Sequence, residues 1–163
     1  MTGLRTLLDQ CPCKVPNFPN IELGVDFDME TRGHGGISKD SGNEAQTYYD
    51  DVLNSDIVPE LRRMKGVFPM GYIPVIFTGS QIEGSEDGGG ALGATLGDYG
   101  IIMYFQAAQF VLGHELGHYA GYDYKGNSHH PDSTNLMFRK VGGAFVDDIW
   151  CNAVAELANR QGF

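Results

Sequence analysis

Residues 106–121 read QAAQFVLGHELGHYAG. Helix formers run through them without a proline, and a glycine stands at the end, so a helix is expected over 106–119 with Gly121 as its stop. Inside it, His114 and His118 are four residues apart and share one face, with Cβ atoms about 5–6 Å apart. Two imidazole nitrogens can then meet one cation, and zinc is the natural guest for such a pair. Glu115, one position on, is turned away from the ion but sits beside its open coordination site, where it can hold a water and take its proton.

The flanks of this helix suggest a mixed α/β chain. Residues 84–100, GSEDGGGALGATLGDYG, are too glycine-rich for a regular interior element and read as a wandering loop leading into a strand near 101–105. YIPVIF at 72–77 reads as a strand that pairs on one side only, because Pro74 removes a ladder donor. Over 44–64, Tyr48, Tyr49, Val52, Leu53, Ile57, Leu61 and Met64 recur at helical spacing, with a kink expected near Pro59. Residues 21–27, IELGVDF, look like a first strand, followed by a glycine-rich loop containing His34. The segment CPCKVPNFPN at 11–20 carries three prolines, so residues 1–20 are expected to be an extended lead-in and 21–163 the folded domain. Residues 145–161 read as a closing helix with Ile149, Ala153, Val154 and Leu157 on one face.

At 163 residues the chain suits one domain, and with 42% hydrophobic residues it can bury a core. Eleven Lys and Arg against 21 Asp and Glu give a net charge of −10. That sign repels phosphate backbones and anionic lipid, so nucleic acid and membrane surfaces are excluded as primary partners. No run approaches the roughly 20 apolar residues of a membrane span, and MTGLRTLLDQ lacks the apolar core of an export signal. Three cysteines, Cys11, Cys13 and Cys151, are too few for a disulfide scaffold.

His114-Glu115-x-x-His118-x-x-Gly121, followed by Asn135-Leu136-Met137, resembles the metzincin zinc peptidases and most of all their matrixin branch. The resemblance implies a twisted mixed β-sheet with a backing helix, a zinc-binding active-site helix and a C-terminal helix. It implies one catalytic zinc, Glu115 as general base in peptide-bond hydrolysis, and Met137 in a turn under the metal. In such folds a peptide substrate lies extended along the sheet edge, for which residues 95–105 are the candidate. A protein inhibitor is left open as a further partner. Action outside the producing cytoplasm is expected by the same analogy.

The third ligand departs from the family pattern, which places it at Tyr124, after Asp123. Counting back the family's spacing of eight from Met137 reaches His129, so an inserted loop in YDYKGNS and a ligand at His129 are proposed, with His130, Asp123 and Tyr124 as alternatives. Asp87-Gly88-Gly89-Gly90-Ala91-Leu92 is similar to the matrixin calcium loop, which makes Ca2+ an additional cofactor candidate beside the reading as a plain surface loop. Pro12-Cys13-Lys14-Val15-Pro16-Asn17 looks like the matrixin latency motif, in which Cys13 would block the metal's fourth position; a disulfide from Cys11 or Cys13 to Cys151, or free thiols, are the other readings. Two further classes stand beside the peptidase: another zinc hydrolase using Glu156 as ligand, and a catalytically impaired zinc-containing binding domain.

Overall fold

A computed structural model describes residues 2–11, 38–40, 45–48, 73–78, 82–83, 91–98, 100–104, 107, 110–140 and 142–161. They form a mixed α/β arrangement. The helices are α1 (Thr2–Leu8), α2 (Val111–Ala120) and α3 (Asp148–Gln161), and the strands β1 (Ser38–Asp40), β2 (Ala45–Tyr48), β3 (Val75–Thr78), β4 (Ile82–Glu83), β5 (Gly93–Thr95) and β6 (Ile101–Tyr104). Among the described residues no helix is long and apolar enough to cross a membrane.

The strands make two three-stranded sheets, ordered β1-β2-β4 and β3-β6-β5. In the second, β3 runs parallel to β6 with Val75 opposite Ile101, and β5 runs antiparallel to β6 with Gly93 opposite Met103. Ile101, Ile102 and Met103 are all buried, as expected of a central strand covered on both faces. Pro74 lies just before β3, which among the described residues pairs with β6 alone.

Helix α2 packs against β5, α1 and α3. Its glycine face makes this close approach possible: a Cβ on Gly113 would collide with Leu7 Cδ1, and one on Gly117 would stand 2.8 Å from the Trp150 indole. Leu7, Met137, Trp150 and Val154 are fully buried around that face. Gly121 ends α2 in the left-handed region at φ 89°, which a side chain would disfavour, while the Tyr122 N–H donates back to the Gly117 carbonyl at 2.9 Å.

Several expectations are corrected. Residues 1–20 are not all an extended lead-in: residues 2–8 form α1, whose Leu4 and Leu7 enter the core, and Gln10 and Cys11 continue the attachment. The Gln10 amide donates to Ala144 O (2.9 Å) and its carbonyl accepts from Val146 N (3.1 Å), and Cys11 is disulfide-bonded to Cys151 across 140 residues of sequence. Residues 45–48, expected within a helix over 44–64, are strand β2, because pairing with β1 and β4 overrides a local helical pattern. The glycine-rich stretch contains β5. The candidate substrate edge over 95–105 falls mostly on β6, which is flanked by β3 and β5, and meets β5 only at Thr95. Helix α2 begins at Val111 rather than 106. Helix α3 begins at Asp148 rather than 145, because the Asp147 carboxylate accepts from Trp150 N (2.8 Å) as a cap, and its buried face is Trp150, Cys151, Val154 and Leu157. The expected strand at 21–27, residues 49–64 of the expected helix, Cys13 and Asp87 to Gly90 of the candidate calcium loop lie outside the described residues.

Candidate metal centre

Helix α2 presents His114 and His118 on one face, with ring centroids 4.7 Å apart and their Nε2 atoms 3.0 Å apart. The His114 Nδ1 lies 2.8 Å from the Leu136 carbonyl. A carbonyl only accepts, so Nδ1 carries the proton and Nε2 keeps its lone pair, aimed at the space shared with His118. Burial holds both imidazoles in the neutral form that binds metals. His114 is pushed below the ordinary value, and His118 down to about 3, by loss of water first and by its histidine neighbours second.

The third imidazole comes from the segment after α2. Tyr124 and Asn127 exchange backbone hydrogen bonds at 2.8 and 3.1 Å around Lys125 and Gly126, both at positive φ, and the Gly126 N–H donates to the Asp123 carboxylate. This tight loop turns the chain so that Asn127 Oδ1 accepts from His129 N (3.0 Å) and His130 N donates to Met137 O (2.8 Å). His129 is thereby brought over α2, its ring centroid 4.8 Å from that of His118 and 5.5 Å from that of His114. Ligand atoms of His114, His118 and His129 all lie within 4.8 Å of one another and could hold a metal ion. Among the described residues no fourth His, Cys, Asp or Glu joins them.

The alternatives for the third position are engaged elsewhere. The His130 ring packs on Tyr124 with centroids 4.3 Å apart, and its Nδ1 accepts from Asp132 N at 3.0 Å. Asp123 is occupied within its own turn. Glu156 is exposed on α3 and takes no part in the cluster.

Glu115 is 6% exposed and faces β5. Burial raises its carboxyl to about 7, with the Thr95 hydroxyl pulling the other way. Thr95 Oγ1 donates to the Glu115 carbonyl (2.9 Å) and to Oε2 (3.1 Å). A group that changes protonation near neutrality is suited to taking up a proton and giving it back.

Met137 is fully buried, its sulfur against Gly117 one residue before His118. A polar network holds it there. Asn135 Oδ1 accepts from Met137 N (2.8 Å), and Asn135 Nδ2 donates to Asp147 Oδ2 (3.1 Å), which also accepts from the Tyr122 hydroxyl (2.8 Å). That contact, after burial, raises the Tyr122 phenol. The indole of Trp150 donates to Gly113 O at 3.1 Å. Sequence reading gave no role to Thr95, Tyr122 and Asp147, and quoted Asn135 only within the Asn135-Leu136-Met137 motif. Only Asn135 carried a signal, as a short amide two residues ahead of a turn position, where such side chains bond the backbone. No known protein family, curated protein or solved structure matches the chain.

Proposed function

We propose that this chain is a zinc-dependent endopeptidase of the metzincin type, acting on an extended peptide. The observation that carries the reading is a three-histidine cluster, with no fourth side-chain ligand among the described residues, beside a buried glutamate one position along the same helix. A structural zinc site takes four protein ligands, whereas a catalytic one keeps a position open. Zinc sets its ligand nitrogens about 3.3 Å apart in a tetrahedral site. The His114–His118 pair is near that spacing, and His129 brings a ligand nitrogen within 4.8 Å of theirs. The left-handed turn at Gly121, the buried Met137 and the antiparallel edge strand β5 beside α2 agree with a metzincin fold.

Bound there, zinc supplies a Lewis acid that polarises the peptide carbonyl and makes water acidic enough to react near neutral pH. Glu115 accepts the proton of the attacking water on its carboxylate and delivers it to the leaving amine nitrogen. The peptide pairs with the side of β5 away from β6, which no described strand occupies, and this aligns its main chain before reaction. Cys151 is in a disulfide and takes no covalent part. That bond accords with work in an oxidising compartment outside the producing cytoplasm.

The test is elemental analysis together with cleavage of an unstructured protein. The expected result is one zinc per chain, cleavage abolished by chelator, and a Glu115→Ala variant that keeps zinc and cuts nothing. Zinc bound without any cleavage would replace the enzyme with a binding domain.

A further inference from the structure

Alternate residues of a strand share a face, so Gly93 and Thr95 lie on the same side of β5. Both meet Glu115. The Thr95 hydroxyl has a single proton, and the oxygens in its reach, at 2.9 and 3.1 Å, are the Glu115 carbonyl and Oε2. At Gly93, a Cβ would stand 2.8 Å from Glu115 Cγ and 3.1 Å from Oε1. The strand therefore acts on both carboxylate oxygens, holding one by a hydrogen bond and making room for the other by lacking a side chain. A glutamate has three rotatable side-chain bonds, and in a cleft without such contacts it spreads over several rotamers.

We infer that Thr95 is a positioning residue for Glu115: its hydroxyl fixes Oε2 against β5, and Gly93 leaves Oε1 the space to meet the attacking water. The inference rests on the peptidase reading and deepens it. A merely structural tie between sheet and helix would need only the bond to the Glu115 main-chain carbonyl, which any residue at 115 offers. The contact with Oε2 depends on the carboxylate and bears on its orientation.

Thr95→Val keeps the branched shape and loses the hydroxyl, and Thr95→Ser does the reverse. On a peptide substrate, the zinc-loaded Thr95→Val protein is expected to lose about 10- to 100-fold in kcat, with KM nearly unchanged, as for a base displaced by a fraction of an ångström to one ångström. Zinc content stays at the wild-type level, and Thr95→Ser recovers most of the rate. Gly93→Ala, which keeps the hydroxyl but crowds Cγ, is expected to lower kcat as well. Wild-type kcat in Thr95→Val, a loss confined to KM, or failure of serine to restore the rate overturns the inference.

A readout without cleavage is proton NMR of the metal-free wild type, in which the Thr95 hydroxyl should exchange slowly and show a through-space contact to the Glu115 γ protons. Absence of that contact overturns the hydrogen bond whatever the variants do. A wild-type protein that holds zinc, shows the contact and cuts nothing removes the peptidase reading and the positioning role together, leaving Thr95 as a structural tie.

Discussion

The Nδ1–H of His114 donates to the carbonyl of Leu136 across 2.8 Å, joining α2 to the residue just before Met137. One hydrogen bond thus sets the tautomer of a histidine that could hold a metal ion and couples it to the turn that carries Met137. Met137 then returns a link, since its own carbonyl accepts from His130 N, the residue after His129. That bond closes residues 130–137 on themselves, while the Leu136 carbonyl ties the segment to α2.

The first prediction separates the two adjacent histidines. His129→Ala is expected to weaken zinc binding by well over about 100-fold, more than the loss of an outer-shell partner costs. His130→Ala, which removes only the ring contact with Tyr124 and the acceptor for Asp132 N, should retain the metal. Equilibrium dialysis against a zinc chelator of known affinity measures both, and equal losses would mean that the ligand is not His129.

The second concerns pH in the metal-free protein, where two shifts act in opposite directions. Glu115 is raised in the folded state to about 7 from 4.5, so its ionisation destabilises the fold, fully above pH 7 and not at all below about 4.5. Glu115→Gln should therefore gain about 2–3 kcal/mol at pH 8 and almost nothing at pH 4.5. His118 is lowered to about 3, so the unfolded chain takes up its proton first, and stability falls as pH drops below 6.5 toward 3. In the Glu115→Gln background, where the opposing gain is gone, His118 contributes a loss of about 2 kcal/mol between pH 6.5 and 5. Urea unfolding at these pH values checks both signs, and added zinc should narrow the Glu115→Gln difference because a cation favours the carboxylate.

How much of this was legible from sequence depends on whether the cause is local. His114 and His118 follow from helical spacing and Glu115 from its place between them, whereas His129 rests on the spacing to Met137 that the metzincin resemblance implies, with His130, Asp123 and Tyr124 beside it. Strand β5 left no apolar alternation to read, since Gly93-Ala94-Thr95 becomes a strand only by pairing with β6. Helix α1 is seven residues long, too short to be stable by propensity; the Leu7 contact at Gly113 and the Cys11–Cys151 bond hold it, and both bring together residues more than 100 positions apart. Asp147 reads as an acid in the first turn of the closing helix until Tyr122 and Asn135 converge on it.

A third prediction follows from that attachment. The disulfide closes a loop of about 140 residues, for which chain entropy alone gives about 5 kcal/mol of stabilisation. Cys151→Ser should lower the midpoint of urea unfolding strongly, and Leu7→Ala should cost about 2–5 kcal/mol of stability, since Leu7 is fully buried. Neither residue belongs to the histidine cluster, so zinc stoichiometry in the folded fraction should stay at the wild-type value. Loss of metal from a folded Leu7→Ala protein would show that α1 shapes the site rather than only supporting α2.

Asn135 provides the last prediction. It is 2% exposed, accepts from Met137 N and donates to Asp147, so truncation leaves a backbone donor without its partner and removes one of the contacts to a carboxylate. Asn135→Ala should cost about 2–4 kcal/mol, two broken buried hydrogen bonds at about 1–2 kcal/mol each. Because Leu136 lies between Asn135 and Met137, a relaxed turn also shifts the carbonyl that holds His114, and zinc affinity should fall about 10- to 100-fold, the usual effect of losing an outer-shell contact. Asn135→Asp is the sharper test. It keeps the acceptor for Met137 N but sets a carboxylate about 3 Å from Asp147, so the two acids can share one proton at low pH and repel at high pH. The variant should therefore approach wild-type stability near pH 5 and lose ground as pH rises to 8, whereas Asn135→Ala should be equally impaired at both. Parallel behaviour of the two variants with pH would show that Asp147 is not the partner that holds this turn.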